Sequence, residues 1–439
     1  MFVDAATLHD LDVLSSSTSG GLTLLGAVDR TRTRAGSQEL RKRLGAPATG
    51  SDRILALQGA HRHLAAESTR YRANFERAGV DAVDRYLDSG WQPAAARRWI
   101  VRIIEGVWLR IPYREYCRLV EDGQARVGVL LAAAAELCQR LTSSDQSALR
   151  EIAAAMQVLL DSPDGREVAR RCGGSSMVAR LGFDHHARGS GKTCLRGIIT
   201  LFGTLEAMWS LGVATAEHGW AYPTLGARFG VDGLYHPLLK GRPVANDLRL
   251  DGLVRVCFLT GPNMAGKSTF LRAIALAVIL AHLGCGVPAA SMEFDPVQAV
   301  FSSVQIQDNL NGGESFYLAE VRRIKSLAMT LRNSGATLAV LDEPFRGTNV
   351  HDAEEATMAV IARLAAHRVG LVFIASHLGG LVAQISADPR VRLLHFAADL
   401  GDGPPRFDFR LRDGGSTQRL GMTLLKQEGV LDLLTAPEV

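Results

Sequence analysis

The sequence predicts an all-α N-terminal half followed by an α/β half built on a largely parallel sheet. Residues 1–220 are rich in Ala, Leu and Arg, and their apolar residues recur at helical spacing with few candidate strands. From Tyr222 onward, short apolar runs alternate with helical patterns, which is typical of parallel strands with helices on the faces of the sheet. The 439 residues are enough for two or three domains with substantial cores. We therefore expect a domain boundary near residue 222.

The N-terminal half contains several long helical patterns. One helix is predicted from Ser51 to about Glu76, because Ser51 and Asp52 can cap its N-terminus. Further patterns cover 126–141, 148–160 and 199–217, and their apolar stripes indicate a helical bundle. Residues 1–217 hold 28 Lys and Arg against 24 Asp and Glu, whereas the remainder holds 21 of each. This weak excess permits contact with a polyanion without arguing strongly for one.

Cysteine usage and hydropathy favour a cytoplasmic protein without a membrane partner. The six cysteines show no C-x-x-C spacing and no clustering with histidine, which predicts reduced, buried thiols. The N-terminus lacks the basic and apolar regions of a secretory signal. Residues 273–281 are the most apolar run, but they are too short to span a bilayer and predict a buried helix.

The C-terminal half alternates strand-length apolar runs with helical patterns. The predicted strands cover residues 254–259, 299–304, 337–341 and 370–375. The predicted helices cover residues 269–283, 315–333 and 353–367. In this order a helix separates each strand from the next, as parallel strands require.

A glycine-rich loop between the first of these strands and the first helix is the most specific motif. It fits the pattern G-x-x-x-x-G-K-[ST] and predicts a phosphate-binding loop whose residues contact a nucleotide: Gly261, Pro262, Asn263, Met264, Ala265, Gly266, Lys267, Ser268 and Thr269. Backbone N–H groups of the loop and the helix dipole favour phosphate charge. We expect Lys267 to pair with the β- and γ-phosphates during catalysis, and Ser268 to ligate Mg²⁺.

Two further strand ends carry groups suited to the same site. The strand at 337–341 runs into Asp342 and Glu343, and Asp342 can hold Mg²⁺ while Glu343 orients and deprotonates the attacking water. The alternative is a surface acidic pair. His377 follows the strand at 370–375 and is predicted to sense the γ-phosphate as a catalytic residue, although a histidine there can also be only a capping group.

A polar, glycine-rich segment at 308–316 opens a helix at Ser315. A helix N-terminus that presents a hydroxyl is an anion site. Because residues 261–269 already supply one phosphate site, we expect Ser315 to contact a nucleotide bound on a neighbouring subunit. This predicts a homodimer with composite ATP sites. The alternative is a simple N-cap.

These motifs together resemble the DNA mismatch-repair MutS family. The Asn263-Met264 pair within the loop is distinctive of that family's Walker A motif. Several other segments also resemble family motifs: the Walker B pair 342–343 with the loop 346–348, the switch at 375–377, the ATPase entry segment at 235–237 and 244–246, the core signature at 23–36 and 40–44, and the last lever helix at 205–221.

The resemblance implies an α/β P-loop ABC-type ATPase domain at 222–439 with a C-terminal dimerisation segment. Residues 1–221 would form an all-α core and lever domain with a shortened or absent clamp. Ser315 would be the signature serine that acts in trans, and Val244 and Asn246 would contact the nucleotide. The implied ligands are ATP and Mg²⁺, and the implied partner is double-stranded or branched DNA that stimulates hydrolysis.

The sequence also departs from the family pattern. The core signature begins near residue 22, so we expect no N-terminal mismatch-recognition domain and no connector domain. Pro344-Phe345 replaces the usual Ile-Gly, and no aromatic residue near Val244 is placed to stack on adenine. Two hypotheses therefore remain. One is a DNA-binding ATPase switch of the repair or recombination type without its own mismatch reader, and the other is a regulatory ATPase that binds a protein partner.

Overall fold

The computed structural model describes residues 1–18, 20–91, 114–305, 316–367, 370–399, 405–416, 418, 425 and 428–433. Ser315 and the anion site predicted around it lie outside the described residues. The chain folds into two compact units. The first, here called the sheet unit, comprises Met1–Ala27, Leu44–Ile54 and Glu217–Val439. The second, the helical unit, comprises Val28–Arg43 and Leu55–Ala216.

This division differs from the predicted boundary at residue 222. The two segments Met1–Ala27 and Leu44–Ile54 belong to the sheet unit, although the sequence analysis assigned them to the helical half. The reason lies in contacts between distant parts of the chain, which helical periodicity cannot reveal. The interpretation of the helical half as a core and lever domain stays a prediction.

Helices account for most of the first 218 residues that the structure describes. They are α1 Ala5–Asp10, α2 Leu24–Val28, α3 Arg34–Gly45, α4 Ser51–Ala66, α5 Ser68–Ala78, α6 Val80–Leu87, α7 Arg114–Thr142, α8 Ser147–Asp161, α9 Pro163–Cys172, α10 Met177–Ala187 and α11 Lys192–His218. The single helix predicted from Ser51 to Glu76 is in fact α4 and α5, interrupted at Glu67 with φ −104° and ψ 29°.

The helical unit packs around long, largely buried helices. Helix α7 lies against α5, α6 and α8 through a buried apolar stripe. Asp184 is fully buried, and its carboxylate accepts hydrogen bonds from the hydroxyls of Tyr86 and Tyr116. Among the described residues, one helix, α11, is long and apolar enough to cross a membrane, but 72% of its most apolar window is buried, as expected of a core helix.

The sheet unit is built on a seven-stranded sheet in the order β1-β7-β8-β9-β5-β10-β13. These strands are β1 Phe2–Val3, β5 Val256–Thr260, β7 Ala299–Ser303, β8 Thr337–Asp342, β9 Leu371–Ala375, β10 Val391–His395 and β13 Arg412–Asp413. Each neighbouring pair is parallel except β10 and β13. The predicted largely parallel sheet is therefore confirmed, with the four predicted strands at its centre.

Two smaller sheets complete this unit. One is formed by β2 Thr224–Leu225, β3 Phe229–Leu234, β4 Asn246–Leu250 and β6 Ser291–Phe294. Its strand order is β2-β6-β3-β4. The other pairs β11 Ala398–Asp399 with β12 Arg406–Phe407. The helices of the unit are α12 Lys267–His282, α13 Phe316–Ser334, α14 Val350–Ala366, α15 Leu381–Ile385 and α16 Val430–Leu433.

Helix α12 is the central helix of the sheet unit. Residues 273–281 are all buried, as the sequence predicted for this apolar run. The helix contacts β7, β8 and β9, so its N-terminus is fixed relative to the ends of those strands. Burial of each large aliphatic side chain stabilises this arrangement by about 1.5–3 kcal/mol.

Candidate functional site

The predicted site residues of the glycine-rich loop and of the two strand ends meet at one edge of the main sheet. Parallel pairing aligns Asp342 of β8 with Ala375 of β9, and Ala375 in turn with Leu259 of β5. Because the three strands run in the same direction, the residues that follow them also lie side by side. The glycine-rich loop, Glu343 and His377 therefore emerge together at the carboxyl edge, where open α/β sheets bind ligands.

The loop after β5 has the backbone of a phosphate cradle. Gly261 and Gly266 have φ values of 132° and 107°, a region that favours glycine. A Cβ atom at Gly261 would lie 2.3 Å from the carbonyl oxygen of Phe396, so the close approach also requires glycine. Met264 has φ 69° and is 78% exposed. The loop thus leads directly into the N-terminus of α12, as the motif predicted.

Lys267 is buried beneath this loop. Its ammonium donates hydrogen bonds to the carbonyl oxygen of Gly261 at 2.7 Å and to that of Pro262 at 3.2 Å. Burial lowers the pKa of Lys267, while the carboxylates of Glu343 and Asp342 act in the opposite direction. The ammonium therefore lies inside the loop, within 4.0 Å of Glu343 Oε1.

Ser268 and Asp342 form the pair predicted to hold a metal. The Ser268 hydroxyl donates a hydrogen bond to Asp342 Oδ2. Asp342 Oδ1 is buried and has no hydrogen-bond partner among the described residues. Burial raises the pKa of Asp342, and the nearby Glu343 charge raises it further, whereas the Ser268 hydrogen bond opposes both. An unpaired carboxylate oxygen beside a hydroxyl is a hard oxygen donor set that fits Mg²⁺.

Glu343 and His377 form a second pair next to the metal-binding pair. The Nδ1 atom of His377 lies 3.3 Å from Glu343 Oε1. The hydrogen bond with His377 lowers the pKa of Glu343, and the hydrogen bond with Glu343 raises the pKa of His377. Glu343 has φ 48° and its N–H donates to the carbonyl oxygen of Ala375. A non-glycine residue held at positive φ is costly and is characteristic of functional sites.

Lys267, Ser268, Asp342 and Glu343 line a cleft of about 620 Å³. Its walls include Val244, which is 37% exposed, and the segment at 235–236. Asn246 also borders the cleft, but its side-chain amide is bonded to the backbone of the segment opposite, donating to the carbonyl oxygen of Phe409 and accepting from the N–H of Leu411. Asn246 therefore supports Phe409, and its direct contact with a nucleotide stays a prediction.

Phe409 is a cleft residue that the sequence analysis missed. Its ring is 42% exposed, lines the cleft and lies close to Gly266 of the glycine-rich loop. Its backbone has φ 55°, and Asn246 holds it in place. The sequence has no aromatic residue close to Val244 in the chain. Phe409 is separated from that residue by more than 160 positions, so only the fold could bring it to the same cleft.

The comparisons with known proteins agree with this geometry. Residues 257–435 match the family description "MutS domain V". The chain is 31% identical over 240 residues to the DNA mismatch repair protein MutS 2 of Halobacterium salinarum, covering 54% of this chain and 28% of the relative. It is 35% identical over 245 residues to the DNA mismatch repair protein MutS of Chloroflexus aurantiacus, covering 54% and 25%.

A plant relative matches over a similar part of the chain. The chain is 33% identical over 214 residues to the DNA mismatch repair protein MSH6 of Arabidopsis thaliana, covering 46% of this chain and 16% of the relative. The matched regions make up only 16% to 28% of the length of these relatives. The matched part of the chain contains the glycine-rich loop, Asp342, Glu343 and His377. Residues 257–435 therefore match MutS domain V, and DNA mismatch repair proteins of the MutS family are similar to about half of this chain.

Proposed function

We propose that this protein is a DNA-binding, ATP-hydrolysing switch that works as a homodimer. One observation carries the proposal: a MutS domain V brings the loop at 261–269, Asp342 and Glu343 together in a single cleft. A buried lysine, a metal-binding pair and a carboxylate beside them are the groups that phosphoryl transfer to water requires.

The loop and Lys267 would bind the phosphates of ATP. The ammonium of Lys267 already lies inside the loop, and it can exchange its bonds with loop carbonyl groups for bonds with phosphate oxygens. Its burial favours this exchange, because a desolvated cation gains more from a nearby anion than an exposed one does. Phe409, whose ring is partly exposed and lies close to Gly266, would stack on the adenine.

Ser268 and Asp342 would hold Mg²⁺, with Asp342 Oδ1 as the free acceptor. When bound, Mg²⁺ supplies positive charge that offsets the charge of the phosphates. Glu343 is ionised at neutral pH because its pKa is lowered, so its carboxylate can orient a water molecule and accept its proton. His377 holds one oxygen of Glu343 and leaves the other for the water.

The dimer proposal depends on Ser315. We propose that its hydroxyl contacts the nucleotide held by a second copy of the chain. ATP-dependent dimerisation, measured by analytical ultracentrifugation with a non-hydrolysable ATP analogue, tests this. Ser315→Ala is expected to weaken dimerisation and to slow hydrolysis without weakening ATP binding by the monomer. If dimerisation and hydrolysis both stay at wild-type levels, the composite site is refuted.

The proposal of DNA binding assigns a role to each half of the chain. The helical unit, Val28–Arg43 and Leu55–Ala216, would act as a core and lever domain, without a full clamp, for the ATPase domain. The names of the relatives describe DNA mismatch repair proteins, which supports DNA as the partner. We propose the cytoplasm as the location.

The deciding experiment measures the ATPase rate of the full chain without DNA and with homoduplex, mismatched and branched DNA. Stimulation by at least one DNA, together with binding that weakens steeply as salt rises, is expected, because phosphate contacts release counterions. ATP hydrolysis with neither stimulation nor salt-dependent binding would refute the DNA proposal and favour a protein partner. Absence of hydrolysis under all conditions would refute the ATPase proposal itself.

A further inference from the structure

Helix α13 contacts the loop that follows Glu343 through a buried carboxylate. Glu320 is only 2% exposed. Its Oε1 accepts the N–H of Arg346 at 3.2 Å, and its Oε2 accepts the N–H of Gly347 at 3.0 Å. Both oxygens are therefore used to fix two successive peptide groups that begin three residues after Glu343. A buried carboxylate is costly unless it is bonded in this way.

Two aromatic contacts reinforce the same junction. The ring of Tyr317 lies 6.1 Å from that of Phe345, and the guanidinium of Arg346 lies 5.0 Å from the ring centroid of Phe316. A Cβ atom at Gly347 would lie 2.8 Å from the ring of Phe316 and 2.9 Å from the backbone nitrogen of Tyr317. The loop therefore packs against the first turn of α13 as closely as its backbone allows.

The other side of this junction involves the first residues of the chain. Arg323 lies one helical turn beyond Glu320, so the two side chains lie on neighbouring parts of one helix face. The Arg323 guanidinium donates to both carboxylate oxygens of Asp4, at 2.6 and 3.3 Å, and to the hydroxyl of Thr7 at 2.9 Å. It also lies 3.8 Å from the ring centroid of Phe301. A bidentate contact between a guanidinium and a carboxylate fixes the orientation of the two groups as well as the distance between them.

Asp10 extends the same contact to the end of β7. It is 6% exposed, and its carboxylate accepts hydrogen bonds from the Ser302 hydroxyl and from the N–H groups of Val304 and Gln305. Strand β1 lies parallel to β7 beside it. The N-terminal segment 2–10 is therefore tied to β7 and to α13 at once.

We propose that Asp4, Arg323 and Glu320 are positioning residues that link the N-terminal segment to the loop bearing Glu343. In this arrangement Asp4 fixes the direction of Arg323, Arg323 fixes the rotation of α13, and Glu320 carries that orientation to the peptide groups of residues 346 and 347. Disturbing the N-terminal segment then displaces the hydrolytic carboxylate without touching the phosphate loop. The inference rests on the proposed ATPase function and names a means of regulating it.

The first variant to test is Asp4→Asn. Asparagine keeps the side-chain acceptor that caps α1 through the N–H of Thr7, so the helix cap is retained while the charge opposite Arg323 is removed. With the full chain, kcat for ATP is expected to fall about tenfold while KM changes by less than about twofold, because the effect reaches the hydrolytic group alone. Glu320→Gln is expected to produce a similar split.

The double variant shows whether Asp4 and Glu320 act on Glu343 through the same contacts or independently. If Asp4 and Glu320 act along one path, the double variant Asp4→Asn, Glu320→Gln is expected to have the same kcat as the single variant with the lower kcat. A fold-decrease in kcat equal to the product of the two single fold-decreases would show that the substitutions act independently, and it would overturn the proposal. The matched control is Asp232→Asn, which removes a comparable two-pronged contact with Arg249 between β3 and β4 of the same unit. Its kcat is expected to equal that of the wild type.

A second measurement does not require hydrolysis. Amide hydrogen exchange at residues 346 and 347 is expected to be faster in Asp4→Asn than in the wild type, and unchanged in Asp232→Asn. Wild-type exchange in Asp4→Asn would overturn the proposal, whether or not the protein hydrolyses ATP. A wild-type protein without ATPase activity would instead refute the proposed function, so the two failures are distinguishable.

Discussion

The imidazole Nδ1 of His377 lies 3.3 Å from Oε1 of Glu343, so residues that follow two adjacent strands pair beside the cleft that Glu343 lines. The pair joins the group assigned to activate water with the group assigned to sense the phosphate. Each partner shifts the pKa of the other in the direction that keeps both ionised. The pH dependence of this pair is therefore the first test of the site.

We expect the pKa of His377 to lie above its ordinary value of 6.5 and that of Glu343 to lie below its ordinary value of 4.5. The contribution of the pair to the free energy of unfolding is then complete between those ordinary values. It is lost as pH rises through the raised pKa of His377 and as pH falls through the lowered pKa of Glu343. NMR titration of the His377 ring should show its pKa falling toward 6.5 in Glu343→Gln. The same pKa in both proteins would show that the pair does not form.

Glu343→Gln is expected to separate binding from hydrolysis. The amide cannot accept a proton from water, so the rate of hydrolysis should fall by about 10²–10⁴-fold. ATP affinity should stay close to the wild-type value, because the loop at 261–269 and Lys267 are unchanged. Single-turnover hydrolysis and equilibrium binding of ATP measure the two quantities. A variant that loses both would show that Glu343 holds the fold of the site rather than the water.

Asp342→Asn is expected to have opposite effects on stability and on function. In the protein without ligand, the buried Oδ1 has no partner and Glu343 adds a neighbouring negative charge, so removing the Asp342 charge should raise the free energy of unfolding by about 1 kcal/mol. Mg²⁺-dependent ATP binding should weaken at the same time. Thermal melts with and without Mg²⁺ and ATP would detect both changes. Destabilisation of the ligand-free protein would contradict the assignment.

Phe409→Ala tests the base-binding part of the cleft. Stacking of a nucleobase on an aromatic side chain contributes about 1–3 kcal/mol, so ATP affinity should fall by about 5- to 150-fold. Phe409→Tyr, which keeps the ring face, is the matched control and should bind ATP as the wild type does. Titration with inorganic triphosphate provides a second comparison, because its affinity should be the same in all three proteins. Equal loss of triphosphate binding would show that the variant disturbs the adjacent loop instead.

The sequence predicted the centre of the sheet unit and the position of the glycine-rich loop at 261–269 well, because both are encoded locally. Residues 261–269 form one continuous motif between a strand and a helix, and Asp342 follows directly from an apolar strand. The parallel order of the strands then brings the two together without further information. The break at Glu67 shows the limit of periodicity, since an apolar stripe can continue across two helices.

The features that the sequence did not predict all depend on contacts between distant residues. Phe409 reaches the cleft only because Asn246 fixes its backbone. The strand Phe2–Val3 is too short to produce a pattern, and its assignment depends on β7, which supplies its hydrogen bonds. Asp10 and Glu320 are acidic residues within helices and resemble solvent-exposed positions in the sequence. Their burial becomes clear only when the backbone N–H groups that they accept are known.

The pairing of β1 with β7 also has a consequence for the order in which the protein folds during synthesis. Asp10 and its partner Ser302 are 292 residues apart in the chain. The first residues therefore leave the ribosome long before the strand that they join exists, and the edge of the main sheet can close only when that strand has been translated. Closure of such a long loop delays these contacts. The segment 2–10 thus has no β7 partner until residues 299–305 have been translated.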